Sequence, residues 1–289
     1  MKKRVLLLAF LVPCMVWSQE SADTVKVWTT GGAGSLTFSQ VSLTNWAAGG
    51  ANAVSGNAFI NLFANYKKGK VTLDNTLDIA YGLVNQKGEG TRKSDDRVEL
   101  AVKYGRNAVK NWFYSGLVSF KTQLTDGFNY PNDSVIISRL LAPAYLMAAL
   151  GMDYKPSDNF TLFISPVTVK NTFVLDDALA DDGAFGVEPG KKFRAEMGGY
   201  LKMMYKTPLV ENVDLLTKLD LFSNYLDKPQ NIDVSWEALI TMKINKYLSA
   251  NLNTQLIYDD DIHIADDSGH ISPRIQFKEI FGAGFSVKF

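Results

Sequence analysis

The chain has 289 residues with 30 basic and 30 acidic side chains, so its formal charge is zero and it carries no basic footprint for nucleic acid. Apolar residues make up 46% of it, yet mean hydropathy is -0.04 and no apolar run reaches the roughly twenty residues of a membrane helix. Its single cysteine, Cys14, lies in the segment read below as a leader, which leaves the mature protein neither a disulfide framework nor a thiolate metal site.

Lys2, Lys3 and Arg4 precede an apolar run from Val5 to Val12, and the spaced small residues Val16 and Ser18 lie before Gln19. This is the pattern of a secretory signal over residues 1–18. Pro13 stands where a lipoprotein cleavage site requires a small residue, which argues against lipidation of Cys14. Residues 19–30 then read as a short periplasmic segment, and 31–289 as a single barrel domain.

Next come a glycine-rich opening, Trp28 to Gly34, and the run Thr44-Asn45-Trp46-Ala47-Ala48-Gly49-Gly50. Gly49 and Gly50 permit positive φ and close backbone approach, while Asn45 and Trp46 offer an amide and an amphipathic ring to anchor a loop folded into a lumen. Thr44, Asn45, Trp46, Gly49 and Gly50 are therefore the candidate plug or ligand-binding loop. These two patterns resemble a family of bacterial outer-membrane proteins known as domain of unknown function 3078. The resemblance extends over the mature chain. It implies a barrel in the outer membrane and, because the family has no assigned chemistry, no activity.

Alternation with period two then recurs along nearly the whole chain. Val71, Leu73, Leu77, Ile79, Tyr81 and Leu83 oppose Thr72, Asp74, Thr76, Asp78 and Gly82. Val98 to Tyr104 and Trp112 to Phe120 repeat it, with Glu99, Lys103, Ser115, Ser119 and Lys121 on the polar face. From Leu140 to Tyr154 both faces are apolar, and no register can be assigned as far as Phe173. Farther on, Arg194, Glu196, Lys202 and Lys206 oppose Phe193 to Tyr205, and three more segments place Asp214, Lys218, Asp220, Glu237, Lys243, Asn251, Asn253 and Gln255 opposite alkyl and aromatic rows. About twelve segments have the length of a tilted membrane strand. Many of the twelve tyrosines and five tryptophans fall near turns, as interfacial girdles would require.

The connections alternate in length. Short ones lie at 67–70, 106–111, 156–159, 207–212 and 245–247; the others are mostly longer, at 85–95, 126–138, 175–190 and 259–273, with 227–231 short. Short periplasmic turns and longer outward loops are the habit of an even-stranded outer-membrane barrel. The last long loop holds both histidines of the chain, so Asp259, Asp261, His263, Asp266 and His270 are weak metal-ligand candidates, with no calcium-loop spacing. Ser268 beside His263 or His270 lacks any activating motif, and no catalytic residue is nominated. At the end, Phe281, Phe285, Val287 and Phe289 share one face and resemble the carboxy-terminal strand by which barrel-assembly machinery recognises outer-membrane proteins.

The expected fold is all-β, an antiparallel up-and-down transmembrane barrel of about twelve strands, with a soluble β-sandwich as the competing architecture. The expected location is the bacterial outer membrane, among outer-membrane lipids and lipopolysaccharide. The expected role is a narrow-lumen transport or binding protein for a small solute or lipid, non-enzymatic and without a cofactor. A sealed barrel that presents its loops to lipopolysaccharide or a partner assembly is the alternative. Oligomeric state is not legible.

Overall fold

The computed structural model describes residues 27–43, 51–130, 132–265, 268 and 270–289. In chain order its strands are β1 (Trp28–Val41), β2 (Ala53–Lys68), β3 (Val71–Gln86), β4 (Gly90–Val109), β5 (Trp112–Thr122), β6 (Gly127–Phe128), β7 (Ile136–Ser138), β8 (Ala144–Ser157), β9 (Phe160–Phe173), β10 (Phe193–Val210), β11 (Val213–Asn224), β12 (Ile232–Lys243), β13 (Leu248–Tyr258), β14 (His263–Ala265), β15 (Ile271–Pro273) and β16 (Gln276–Lys288). Twelve of them, in the order β1-β16-β13-β12-β11-β10-β9-β8-β5-β4-β3-β2, form a closed antiparallel barrel. Its two small companions, β6 with β7 and β14 with β15, are hairpins within the long loops.

Pairing register carries the period-two pattern around the wall. Leu219 lies opposite Trp236, which lies opposite Leu256; Ile240 lies opposite Leu252, which lies opposite Phe281. These rows face outward, and Leu100, Val118, Ile164, Phe277, Phe281 and Phe285 are all strongly exposed there, Phe285 at 61%. Such a continuous apolar exterior is far beyond what a water-soluble surface tolerates, and it is the surface that hydrocarbon requires. The sandwich alternative falls with it, because a sandwich buries its apolar faces between two sheets. Closure removes the backbone edges that lipid could not satisfy. Among the described residues no helix is long and apolar enough to cross a membrane.

The seam between β1 and β16 is closest at a glycine. A Cβ on Gly284 would lie 2.0 Å from the Leu36 carbonyl oxygen, so the two strands approach there as only glycine allows. Gly32 and Phe289 exchange backbone hydrogen bonds of 2.8 and 3.1 Å at the foot of this seam.

Register through β8 and β9, opaque in the sequence, has a physical explanation. Ala148, Leu150 and Val167 are exposed on the outside, while Ala149 and Phe163 are almost fully buried inside. Both faces are apolar because this part of the wall packs inward as well as outward. An extra residue in β9 between Ile164 and Val167 shifts the register on both sides. The bulge is held by Ser165, whose hydroxyl lies 2.8 Å from the carbonyl oxygens of Leu150 and Val167, with the Thr168 hydroxyl also at 2.8 Å.

All five short connections fall at one end of the barrel. There Trp112, Tyr154, Phe160 and Tyr205 form a string of ring contacts at 4.8 to 6.5 Å, and Trp28 meets Tyr66 at 5.2 Å. These rings form an interfacial girdle. At the opposite end the expected 85–95 loop is mostly strand, since β3 runs to Gln86 and β4 starts at Gly90. Beyond the bilayer both faces of a hairpin meet water, so the apolar alternation that marks a strand in lipid disappears while the pairing continues.

Between β9 and β10 the chain folds into a cap. Helix α1 (Asp177–Asp181) is capped by the Asp176 carboxylate, which accepts a hydrogen bond from Leu179 N, and Arg139 donates to both Asp176 and Asp126. Leu179, Ala180 and Val187 pack with Val174 and Ala142 into a small core of their own. The Leu179 amide and then the Arg139 guanidinium hold the Asp176 carboxyl below the usual carboxylate range.

Candidate functional site

The lumen is where this fold concentrates polar side chains. Charges occupy it in three tiers. Nearest the short turns, Lys103 lies 2.8 Å from Asp153, and Lys155 bridges Asp153 at 3.2 Å and Asp74. In the middle, Arg97 pairs with Glu237, Lys218 with Asp78 at 3.1 Å, and Lys202 with Asp220 at 3.3 Å and Glu99 at 3.9 Å. Toward the long loops, Lys170 gathers Asp233, Glu196 and Asp259 at 2.8 to 3.7 Å, while Arg194 contacts Asp261 at 2.6 Å and Glu196 at 3.3 Å.

Two of the middle pairs span the barrel. Arg97 on β4 and Glu237 on β12 have five strands between them in either direction round the wall, and so do Asp78 on β3 and Lys218 on β11. These are diametrically opposite positions. The cylinder is therefore no wider at this level than two side chains laid end to end, and the charged groups are bolts across it.

The two sides of the lumen differ in chemistry. On β5, β8, β9, β10 and β11, Leu117, Ala149, Phe163, Tyr200 and Phe222 pack together as an inward apolar cluster, joined by Ala101 and Met147. On the other side, inward positions of β13, β16, β1 and β2 carry Ser249, Asn251, Asn253, Gln255, Gly282, Gly284, Ser35, Thr37, Asn57, Asn61 and Asn65, interrupted by Phe59, Phe63 and Ile280 and by one charge, Lys278, which pairs with Asp95 at 2.8 Å. Small and mostly uncharged polar groups thus line one wall. Asn65 Oδ1, Thr72 Oγ1 and Ser115 Oγ are buried without a hydrogen-bond partner.

Of the inward charges legible in the sequence, Asp74, Asp78, Glu99, Glu196, Asp214, Asp220 and Glu237 all enter ion pairs. Sequence reasoning missed Arg97, Asp153, Lys155 and Lys170, whereas Asp233 was already on the polar face of its strand and pairs with Lys170 at 2.8 Å. Asp153, Lys155 and Lys170 fall in or beside the doubly apolar stretch where no face could be assigned. Period two does place Arg97 inward, so counting every inward position would have found it.

The candidate plug residues Thr44, Asn45, Trp46, Gly49 and Gly50 lie outside the described residues. So does Asp266 of the candidate metal set. Asp259 and Asp261 are directed to Lys170 and Arg194; His263 is exposed, with Nδ1 3.4 Å from the Asp261 carbonyl oxygen, and His270 is exposed in the same loop. Among the described residues, no group of three or more acid, histidine or cysteine side chains is arranged to hold a metal ion. Phe281, Phe285, Val287 and Phe289 all point outward.

Residues 38–128 match the sequence profile of a family described as Protein of unknown function (DUF3078). Over this stretch the chain is similar to that family. The match is narrower than the whole-chain resemblance drawn from the motif. It runs from the end of β1 through β6, so the matched segment contributes Asp78, Arg97, Glu99 and Lys103 to the bolted lumen. No curated protein matches the chain in sequence. Among solved structures, the barrel is similar to the COG4313 outer membrane channel from Pseudomonas putida F1, at TM-score 0.43 and 12% identity over 94% of this chain and 100% of that one. It is also similar to the translocator domain of the autotransporter NalP from Neisseria meningitidis, at TM-score 0.38 and 9% identity over 93% and 89%.

Proposed function

We propose that the protein is an outer-membrane barrel that admits a small, polar, weakly charged solute along its narrow lumen, with the ion pairs across the barrel as its gate. Its short turns face the periplasm and its long loops and cap face outward, as in even-stranded outer-membrane barrels. The observation that carries the reading is the pairing of Arg97 with Glu237, and of Lys218 with Asp78, across the full width of the barrel. An occlusion built of ions differs from one built of packed alkyl groups. Parting an ion pair returns both charges to water, and hydration offsets much of the lost attraction. The Asn, Ser, Thr and Gln wall beside the pairs supplies exchangeable hydrogen bonds for an uncharged polar solute and no single-sign ring that would select an ion.

Reconstitution in planar bilayers and liposomes tests this. The unaltered protein should give rare, small conductance steps, and the double variant Glu237→Gln with Asp78→Asn should raise open probability and the swelling rate in sugar solutions several-fold. Silence of both proteins, with folding verified by heat-dependent gel mobility, would leave the sealed scaffold as the better description.

A further inference from the structure

Outside the lumen, the long-loop end of the barrel holds a cavity of about 240 Å³ between the β3–β4 hairpin tip and the loop joining β5 to β8. Glu89, Gly90 and Thr91 line it from the hairpin, and Phe128, Tyr130 and Asp133 from the loop. That space is enough for one six-membered sugar ring and is below the usual size of a drug-like site.

The lining is fixed in place. The Arg92 guanidinium sits 4.8 Å from the centroid of the Tyr130 ring and pairs with Glu89 at 2.6 Å, leaving its Nε buried and without a hydrogen-bond partner. Phe128 meets Tyr130 edge-on at 6.1 Å, and Asn85 donates to the Thr91 hydroxyl at 2.8 Å. The Tyr130 loop is closed by Asn129 N to Val135 O at 3.1 Å, Asn132 N to Asn129 O at 3.0 Å and Ser134 N to Asn132 Oδ1 at 2.9 Å.

We infer that this cavity is a binding site for a hexopyranose unit. A pyranose presents an apolar C–H face and a rim of hydroxyls. The first matches a preset aromatic pair, and the second matches two carboxylates and a hydroxyl converging on one small space. A free cation would need more oxygen ligands than Glu89 and Asp133 supply, and Glu89 is already paired with Arg92. The sugar comes either from a saccharide free in solution or from one anchored in lipopolysaccharide.

The test uses full-length protein folded in detergent micelles. Saturation-transfer NMR and calorimetry are run with methyl glycosides of glucose, galactose and mannose, and separately with lipopolysaccharide core oligosaccharide. At least one methyl glycoside should bind in the millimolar range, with Tyr130→Ala weakening it about tenfold, the loss of one stacking contact. Asp133→Ala, a change at an exposed position, should weaken it as well. Binding of the oligosaccharide alone, with the same dependence on Tyr130, keeps the site and identifies the anchored source. If neither probe binds, or if both variants bind as tightly as the unaltered protein while keeping heat-dependent mobility, the inference is overturned. Lumen conductance is a separate readout, so this result and that of the bolt variants are independent.

Discussion

Glu279 faces outward on β16 between Phe277 and Phe281, a carboxylate on an otherwise apolar surface. It lies toward the long-loop end of its strand, where a charge reaches headgroups and water; the cost of a charge on the outer face falls steeply with distance from the bilayer centre. Leu252, paired laterally with Ile240 and Phe281, lies deeper. Leu252→Lys should cost about 2–4 kcal/mol, and Glu279→Leu should change stability by less than about 1 kcal/mol, both read from denaturant unfolding in detergent. Equal effects at the two positions would mean that depth does not govern the outer face. Period two alone assigns both residues to that face. What sequence cannot supply is the height of each along the barrel, because height is set by register against neighbouring strands.

At the scale of the element, the β1–β16 seam and the cap make distinct predictions. Gly284→Val forces a side chain into the Leu36 carbonyl. Overpacking of this kind costs about 1–3 kcal/mol or more, and here it strikes closure itself, so the variant should lose heat-dependent gel mobility. A variant of unchanged mobility would contradict the proposed closeness of the seam. In the cap, Asp176 is held below the usual carboxylate range by the Leu179 amide first and by Arg139 next. A carboxyl depressed in the folded state contributes stability above its unfolded value of about 3.9, and that contribution is lost as pH falls through the folded value. Amide exchange at Leu179 should therefore accelerate, relative to the barrel strands, as pH drops below about 4. Asp176→Asn, which keeps a capping oxygen but not the charge, should flatten that dependence. How far each element was legible follows from its surroundings. Strands with lipid on one side and a polar lumen on the other declared themselves by alternation, whereas β8, apolar on both sides, and β9, whose alternation is broken by its bulge, did not. The 175–190 cap gave no periodic signal because one short helix and a left-handed Phe185 make it up.

For the molecule as a whole, strand number, parity and closure follow from simple features: alternation, strand length and the alternation of short and long connections. The pairing across the lumen does not, since period two places Arg97 and Glu237 inside but says nothing of their facing one another. That relation arises from the order of twelve strands around a circle, and the proposed gate rests on it. The central claim is that hydrocarbon covers the outside and a charge-bolted polar lumen lies inside. Its most direct test is a nitroxide scan in lipid vesicles, with single cysteines introduced in turn from Gln276 to Lys288, Gly284 excepted, in a chain lacking Cys14. The account predicts high oxygen accessibility at Phe277, Phe281, Ala283, Phe285 and Val287 and low values at Lys278, Gly282 and Ser286. Uniform accessibility, or a polar relaxation agent reaching the phenylalanine face, would contradict it.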